Sequence, residues 1–182
     1  MGCSQSWLAV NGKSPEAVLD ELQLQVAPSD EQKGHAPHAA RLPTGWYVVV
    51  SGVFDLRILS DETVQRLAQG CEVIRGSVED NEMISVAEGW KDGRRVWSVT
   101  HDAGQGEEHL EVEGEPPSIL ASIHARLRTA QDAESGPVDH IFDVPVDLAK
   151  AVTGYHPDQT IPGVRFERLV ERSWLRRIFA QQ

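Results

Sequence analysis

The residues of this chain best suited to chemistry are His101 and Asp102, an imidazole followed at once by a carboxylate, with Glu107, Glu108 and His109 close behind. A histidine oriented by a carboxylate can move protons near neutral pH, and beside a nucleophile or a bound metal it would support hydrolysis. The companions such chemistry needs are missing, since the chain holds no Gly-x-Ser-x-Gly, no catalytic-cysteine signature and no His-Glu-x-x-His. His35 and His38 have a spacing that metal ligands use, but they sit in a stretch of Pro, Gly and Ala, and His124, His140 and His156 stand apart. His109 alternates with Leu110 and Val112 as an outward strand residue would, and His101 reads as a histidine at the edge of a core. No metal and no cofactor is expected. A small hydrolase-like or metal-assisted enzyme using His101 with Asp102 and Glu107 or Glu108 is the alternative reading.

The leading reading rests on charge. Glu79, Asp80 and Glu82 precede one expected strand, Asp102, Glu107 and Glu108 follow its hairpin partner, and Glu111 and Glu113 continue along a third strand. Antiparallel geometry brings both bends to one end of the sheet, where the gathered carboxylates gain from a cationic ligand. The whole chain carries a net charge of −11 with a pI near 5.0, the reverse of what phosphate binding requires, so nucleic acid is not an expected partner. These features predict a non-catalytic acidic binding protein of the bacterial cytoplasm that neutralises or regulates a basic protein partner through those eight acids. In composition alone the chain resembles immunity proteins that neutralise basic toxins, a likeness that carries no positions across.

The elements that must hold these residues are legible in outline. Residues 82–113 read as a meander of three antiparallel strands, because Asp92-Gly93 stands between two β-rich runs and favours the positive φ angles of a two-residue hairpin turn. A two-residue turn there makes partner numbers sum to 185, which pairs Val86 with Val99, Glu88 with Trp97 and Ile84 with His101. Further strands are predicted at Trp7 to Val10, 45–50, 53–59, 71–78, 138–142 and 165–170. Ser14 before Pro15 caps one helix, and Ser60 caps another that Gly70 closes. Pro116-Pro117-Ser118 introduces the longest helix, with Ile119, Leu120, Ile123, Leu127 and Ala130 on one stripe expected to lie across the sheet. Pro145 opens a last helix that Gly154 ends, with Tyr155 as its apolar contact. The expected class is α+β, a mainly antiparallel sheet packed by helices, in one domain over 1–182 with a long loop at 27–44.

The ends of the chain differ from its body. Residues 164–182 hold five Arg and two Glu, +3 against −14 for the remainder, and 171–180 form a basic amphipathic segment in which Trp174, Leu175, Ile178 and Phe179 share a helical face. Met1-Gly2-Cys3-Ser4 fits an acylation pattern, but thirteen Arg against four Lys suggests a GC-rich bacterial genome, where that modification is not expected. Two cysteines make no disulfide framework, and no apolar run is long enough to span a membrane.

Overall fold

The computed structural model describes residues 4–28, 36–52, 59–133, 136 and 138–172. Nine strands form one sheet: β1 (Ser4–Asn11), β2 (Leu24–Val26), β3 (His38–Arg41), β4 (Tyr47–Ser51), β5 (Glu72–Glu79), β6 (Ile84–Lys91), β7 (Arg94–Asp102), β8 (Glu111–Gly114) and β9 (Glu167–Glu171). Their spatial order is β2-β9-β3-β4-β1-β5-β6-β7-β8, and every neighbouring pair is antiparallel. Among the described residues four helices accompany them, α1 (Pro15–Glu21), α2 (Asp61–Leu67), α3 (Leu120–Ala133) and α4 (Asp143–Thr153). The fold is thus α+β with an antiparallel sheet, as expected. No described helix is long and apolar enough to cross a membrane.

Alternation along β1 sorts two cores. Trp7 and Ala9 face a layer made with Ile123 and Leu127 of α3 and with Val144, Leu148 and Ala149 of α4. Leu8 and Val10 face the opposite layer, with Val18 and Leu19 of α1 and Val64 and Leu67 of α2. Because both faces of this strand are covered, Trp7 through Val10 form a continuous buried run, the pattern of a central strand rather than of one with a wet face. On the α3/α4 face, two tryptophans lie over glycines of the adjoining strand. Trp7 pairs with Gly76 and Trp97 with Gly89, and a Cβ on either glycine would come within 2.2 or 2.1 Å of the indole.

The predicted caps hold. Ser14 accepts from the Ala17 N–H at the start of α1, Ser60 accepts from the Thr63 N–H at the start of α2, and Gly154 takes the left-handed conformation (φ 85°) after α4, with Tyr155 buried beside it. The meander is β6, β7 and β8, turned at Asp92 (φ 49°) and Gly93 (φ 75°).

Its register differs from expectation. Trp90 pairs with Arg95 and Lys91 with Arg94, summing to 185, but an irregularity between Gly89 and Trp90 shifts every later pair to 186. Val86 therefore meets Thr100, Glu88 meets Ser98 and Ile84 meets Asp102, while Ser85, Ala87 and Gly89 lie opposite His101, Val99 and Trp97. The physical reason is a bulge that leaves Val96 unpaired in this ladder and 43% exposed, and one extra residue carries β6 over to its other face.

Three further expectations are corrected. Residues 138–142 form a turn into α4 and no strand, because Asp139 Oδ1 accepts the backbone N–H groups of Ile141 (3.0 Å) and Phe142 (3.2 Å), a local arrangement that competes with a ladder. The stretch 27–44 contains β3, fixed by its pairing with β4 and β9. The helix lying across the sheet is α4, which packs on β5, β6 and β7, whereas α3 packs against α4. Of the 53–59 extension only Leu59 is described, and of the basic segment only residues 171–172 are; Gly2 and Cys3 also lie outside the described residues.

Candidate functional site

The β5–β6 connection at 80–83 and the β7–β8 connection at 103–110 neighbour each other at one end of the sheet, because β5, β6 and β7 pair along their full lengths. That geometry gathers Glu79, Asp80, Glu82, Asp102, Glu107 and Glu108. Glu111 and Glu113 follow on β8, the sheet's edge, opposite Thr100 and Ser98. These acids are not equivalent. Hydrogen bonds from Ser4 and Asn81 hold the Glu79 carboxyl below the usual range, and those from Gln105 and the Gly104 N–H do the same for Asp102. Glu108 meets Arg128 of α3 at 2.7 Å, and Glu113 takes Arg95 at 2.6 Å and the Ser98 hydroxyl at 3.2 Å. Glu82, Glu107 and Glu111 are exposed and have no ion pair among the described residues.

His101 lies beneath this end and is wholly enclosed, at 0% exposure. Its ring is met by Asp139 and not by Asp102, whose carboxylate instead caps the 103–105 turn. Nδ1 lies 2.8 Å from the His109 carbonyl oxygen, which can only accept, so Nδ1 carries a hydrogen and donates it. Nε2 lies 2.9 Å from Asp139 Oδ2, and neither atom has another polar partner among the described residues. Phe142 closes the ring edge-on with centroids 6.1 Å apart, and the Ser85 hydroxyl ties the same turn by donating to the Phe142 carbonyl at 2.6 Å. His109 in turn accepts the Asp102 N–H at Nδ1, 3.1 Å away. The enclosure thus fastens the β7–β8 connection to the turn before α4.

A second charged group was not foreseen in the sequence. Glu88 of β6 is 4% exposed and faces the side that α1 and α2 cover elsewhere. Its carboxylate accepts from Arg75 Nε (2.5 Å), Arg95 (3.1 Å) and Trp90 Nε1 (3.2 Å). Arg75 also reaches Asp61 at 2.8 Å and the Leu59 carbonyl, with its guanidinium 5.6 Å from the Trp90 ring centre. Every polar group of the carboxylate is engaged, as a buried charge requires. A cavity of about 350 Å³ opens beside it, lined by Leu59, Asp61, Arg75, Ser77 and Val86 among others. The signal that could have found this group was a glutamate between Val86 and Trp90, in the middle of a buried β-run.

Among the described residues no group of three or more His, Cys, Asp or Glu side chains is placed to hold a metal ion. His38 is exposed on β3, and His35 lies outside the described residues. Cys71 is buried, its thiol directed at the Leu67 carbonyl and pushed up in pKa by burial, the state of a packing residue. The class defined by fold and site is an α+β protein with a closed histidine and an open acidic end. No known protein family, curated protein or solved structure matches the chain.

Proposed function

We propose that the protein is a non-catalytic acidic binding protein of the bacterial cytoplasm that engages a basic protein partner through the acidic end of its meander, neutralising or regulating it. The observation that carries this reading is the union of the 80–83 and 103–110 connections at one end, with Glu82, Glu107 and Glu111 exposed and free of ion pairs among the described residues. Charges so placed steer a cationic surface toward docking and act mainly on the association rate. The enclosure of His101 supports binding over the enzymatic alternative, since a group that acts on substrate must be able to touch it. Arg128 beside Glu108 and Arg95 beside Glu113 leave a mixed rim in which a partner's lysines and arginines must find the uncompensated carboxylates.

The test starts from the protein that co-purifies with the native chain. Its affinity should fall as salt rises, and Glu107→Lys with Glu108→Lys should slow association about tenfold while leaving the melting temperature nearly unchanged. A partner indifferent both to salt and to the double reversal would remove the support for this reading.

A further inference from the structure

We propose that His101 and Asp139 together hold one proton sealed inside the protein, and that this proton clamps the β7–β8 connection to the turn before α4. Donors and acceptors around the ring do not balance without it. His101 Nδ1 must carry a hydrogen, because the His109 carbonyl 2.8 Å away only accepts. In a neutral ring Nε2 then presents a bare lone pair. That lone pair would stand 2.9 Å from Asp139 Oδ2, itself an acceptor when ionised, with both atoms shut off from solvent and without any other partner among the described residues. Two acceptors in that position repel, and no water reaches them to intervene. One added proton, on Nε2 or on Oδ2, turns the contact into an attraction and makes the pair neutral overall.

Among the described residues nothing substitutes for it. Asp139 has already committed Oδ1 to the Ile141 and Phe142 N–H groups, so it cannot turn away without unmaking the turn. From the β7–β8 connection His109 approaches with its ring centre 6.4 Å away, but its Nδ1 is occupied by the Asp102 N–H. Asp102, next along β7, bonds Gly104 and Gln105. Opposite on β6 stands Ser85, whose hydroxyl donates to Phe142. His140 and Asp143 flank the turn, and Asp143, raised in pKa by burial and by Asp147, interacts with His140 and His156. None of these presents a donor hydrogen to the Nε2–Oδ2 gap.

The clamp spans two segments that sequence separates by about thirty residues, and one of them carries Glu107 and Glu108. Loss of the proton would leave a buried negative charge against a lone pair, and the cheapest relief is for the 103–110 connection to lift and admit water. Protonation of the interior thereby sets the shape of the acidic end. This inference stands apart from the identity of any partner.

Nitrogen-15 and carbon-13 NMR of the labelled full chain at pH 7.5 tests it, where an exposed imidazole is about one-tenth protonated. The expected result is one proton per pair in the majority of molecules, seen either as two protonated ring nitrogens on His101 or as a protonated carboxyl on Asp139. Asp139→Asn should keep the turn, supply an amide hydrogen to Nε2 and so convert His101 to the neutral form protonated at Nδ1 only. A wild-type spectrum showing a bare Nε2 with an ionised Asp139, or an Asp139→Asn ring that keeps both hydrogens, would overturn the proposal. The wild-type measurement decides the matter even if the variant fails to fold.

Discussion

Adding one methyl group at Gly76 should loosen the whole α3/α4 core. The new Cβ would lie 2.2, 2.3 and 2.8 Å from Cζ2, Cε2 and Cη2 of Trp7, so moving the nearest atom from 2.2 to an ordinary 3.4 Å demands a retreat of 1.2 Å. The indole has nowhere to go. It is 0% exposed, held on β1 between two paired strands, and backed by Tyr155 with ring centres 5.6 Å apart. Overpacking of this kind costs about 1–3 kcal/mol, and the rigidity of both partners argues for the upper half. The smaller unfolded-state entropy of alanine offsets less than about 1 kcal/mol of that. For a chain of this size the net loss should lower the melting temperature by roughly 2–4 °C per kcal/mol. Urea unfolding of Gly76→Ala followed by far-ultraviolet circular dichroism reads the loss directly. The decisive comparison is a cycle with Trp7→Leu. Each change alone should destabilise, and the pair should cost at least about 1 kcal/mol less than the two together, because the shortened side chain vacates the space the methyl needs. A Gly76→Ala loss below about 0.5 kcal/mol, or strictly additive costs, would refute the close-packing argument.

Glu88→Ala should cost about 3–5 kcal/mol in urea unfolding, since it strands Arg75, whose side chain is 17% exposed; a loss under about 1 kcal/mol would mean that Asp61 and the Leu59 carbonyl suffice for that guanidinium. Tyr47 is pushed up to about 12 by burial and by Glu167 and Glu16, so it should stay un-ionised well past pH 10. Its contribution to stability is complete below pH 10 and lost as pH rises toward about 12, and an alkaline absorbance titration compared with Tyr47→Phe should show that late step vanish.

The meander was readable because its evidence is local. Asp92-Gly93 supplies its own turn, and aromatic and β-branched residues flank it, so the hairpin's existence needs no tertiary information. Its register was not readable, because the bulge falls at Val96, a residue with no turn or glycine signature, and the paired apolar residues Ile84 and Val86 look more like core than Ser85 and Ala87 do. The small residues win because α4 packs on this strand and because Trp97 needs the bare surface of Gly89. β3 was hidden for a related reason: His-Ala-Ala-Arg has little β preference of its own and is a strand only through β4 and β9. At the acidic end the carboxylates and their convergence were visible from spacing, while the partner of His101 was not. Asp139 lies beyond the whole of α3, in a run whose Val, Ile and Phe suggest a strand, and only its side-chain bonds to Ile141 and Phe142 explain why the chain turns there.

The insertion of β9 between β2 and β3 sets an order of events for a chain made from its N-terminus. β1, β4 and the β5–β8 run can find their neighbours as soon as residue 114 exists. Among the described residues β2 has β9 as its only ladder partner, and one side of β3 waits for the same strand. During synthesis, Leu24 and Ala39 must therefore stay unclosed until Leu169 and Val170 arrive to seal the gap, an interval of roughly 6–30 seconds at ordinary rates of about 5–20 residues per second. The nascent protein passes through a stage with one finished half-sheet and two open strand edges, and that is the stage at which a second nascent copy could contribute the missing strand by mistake.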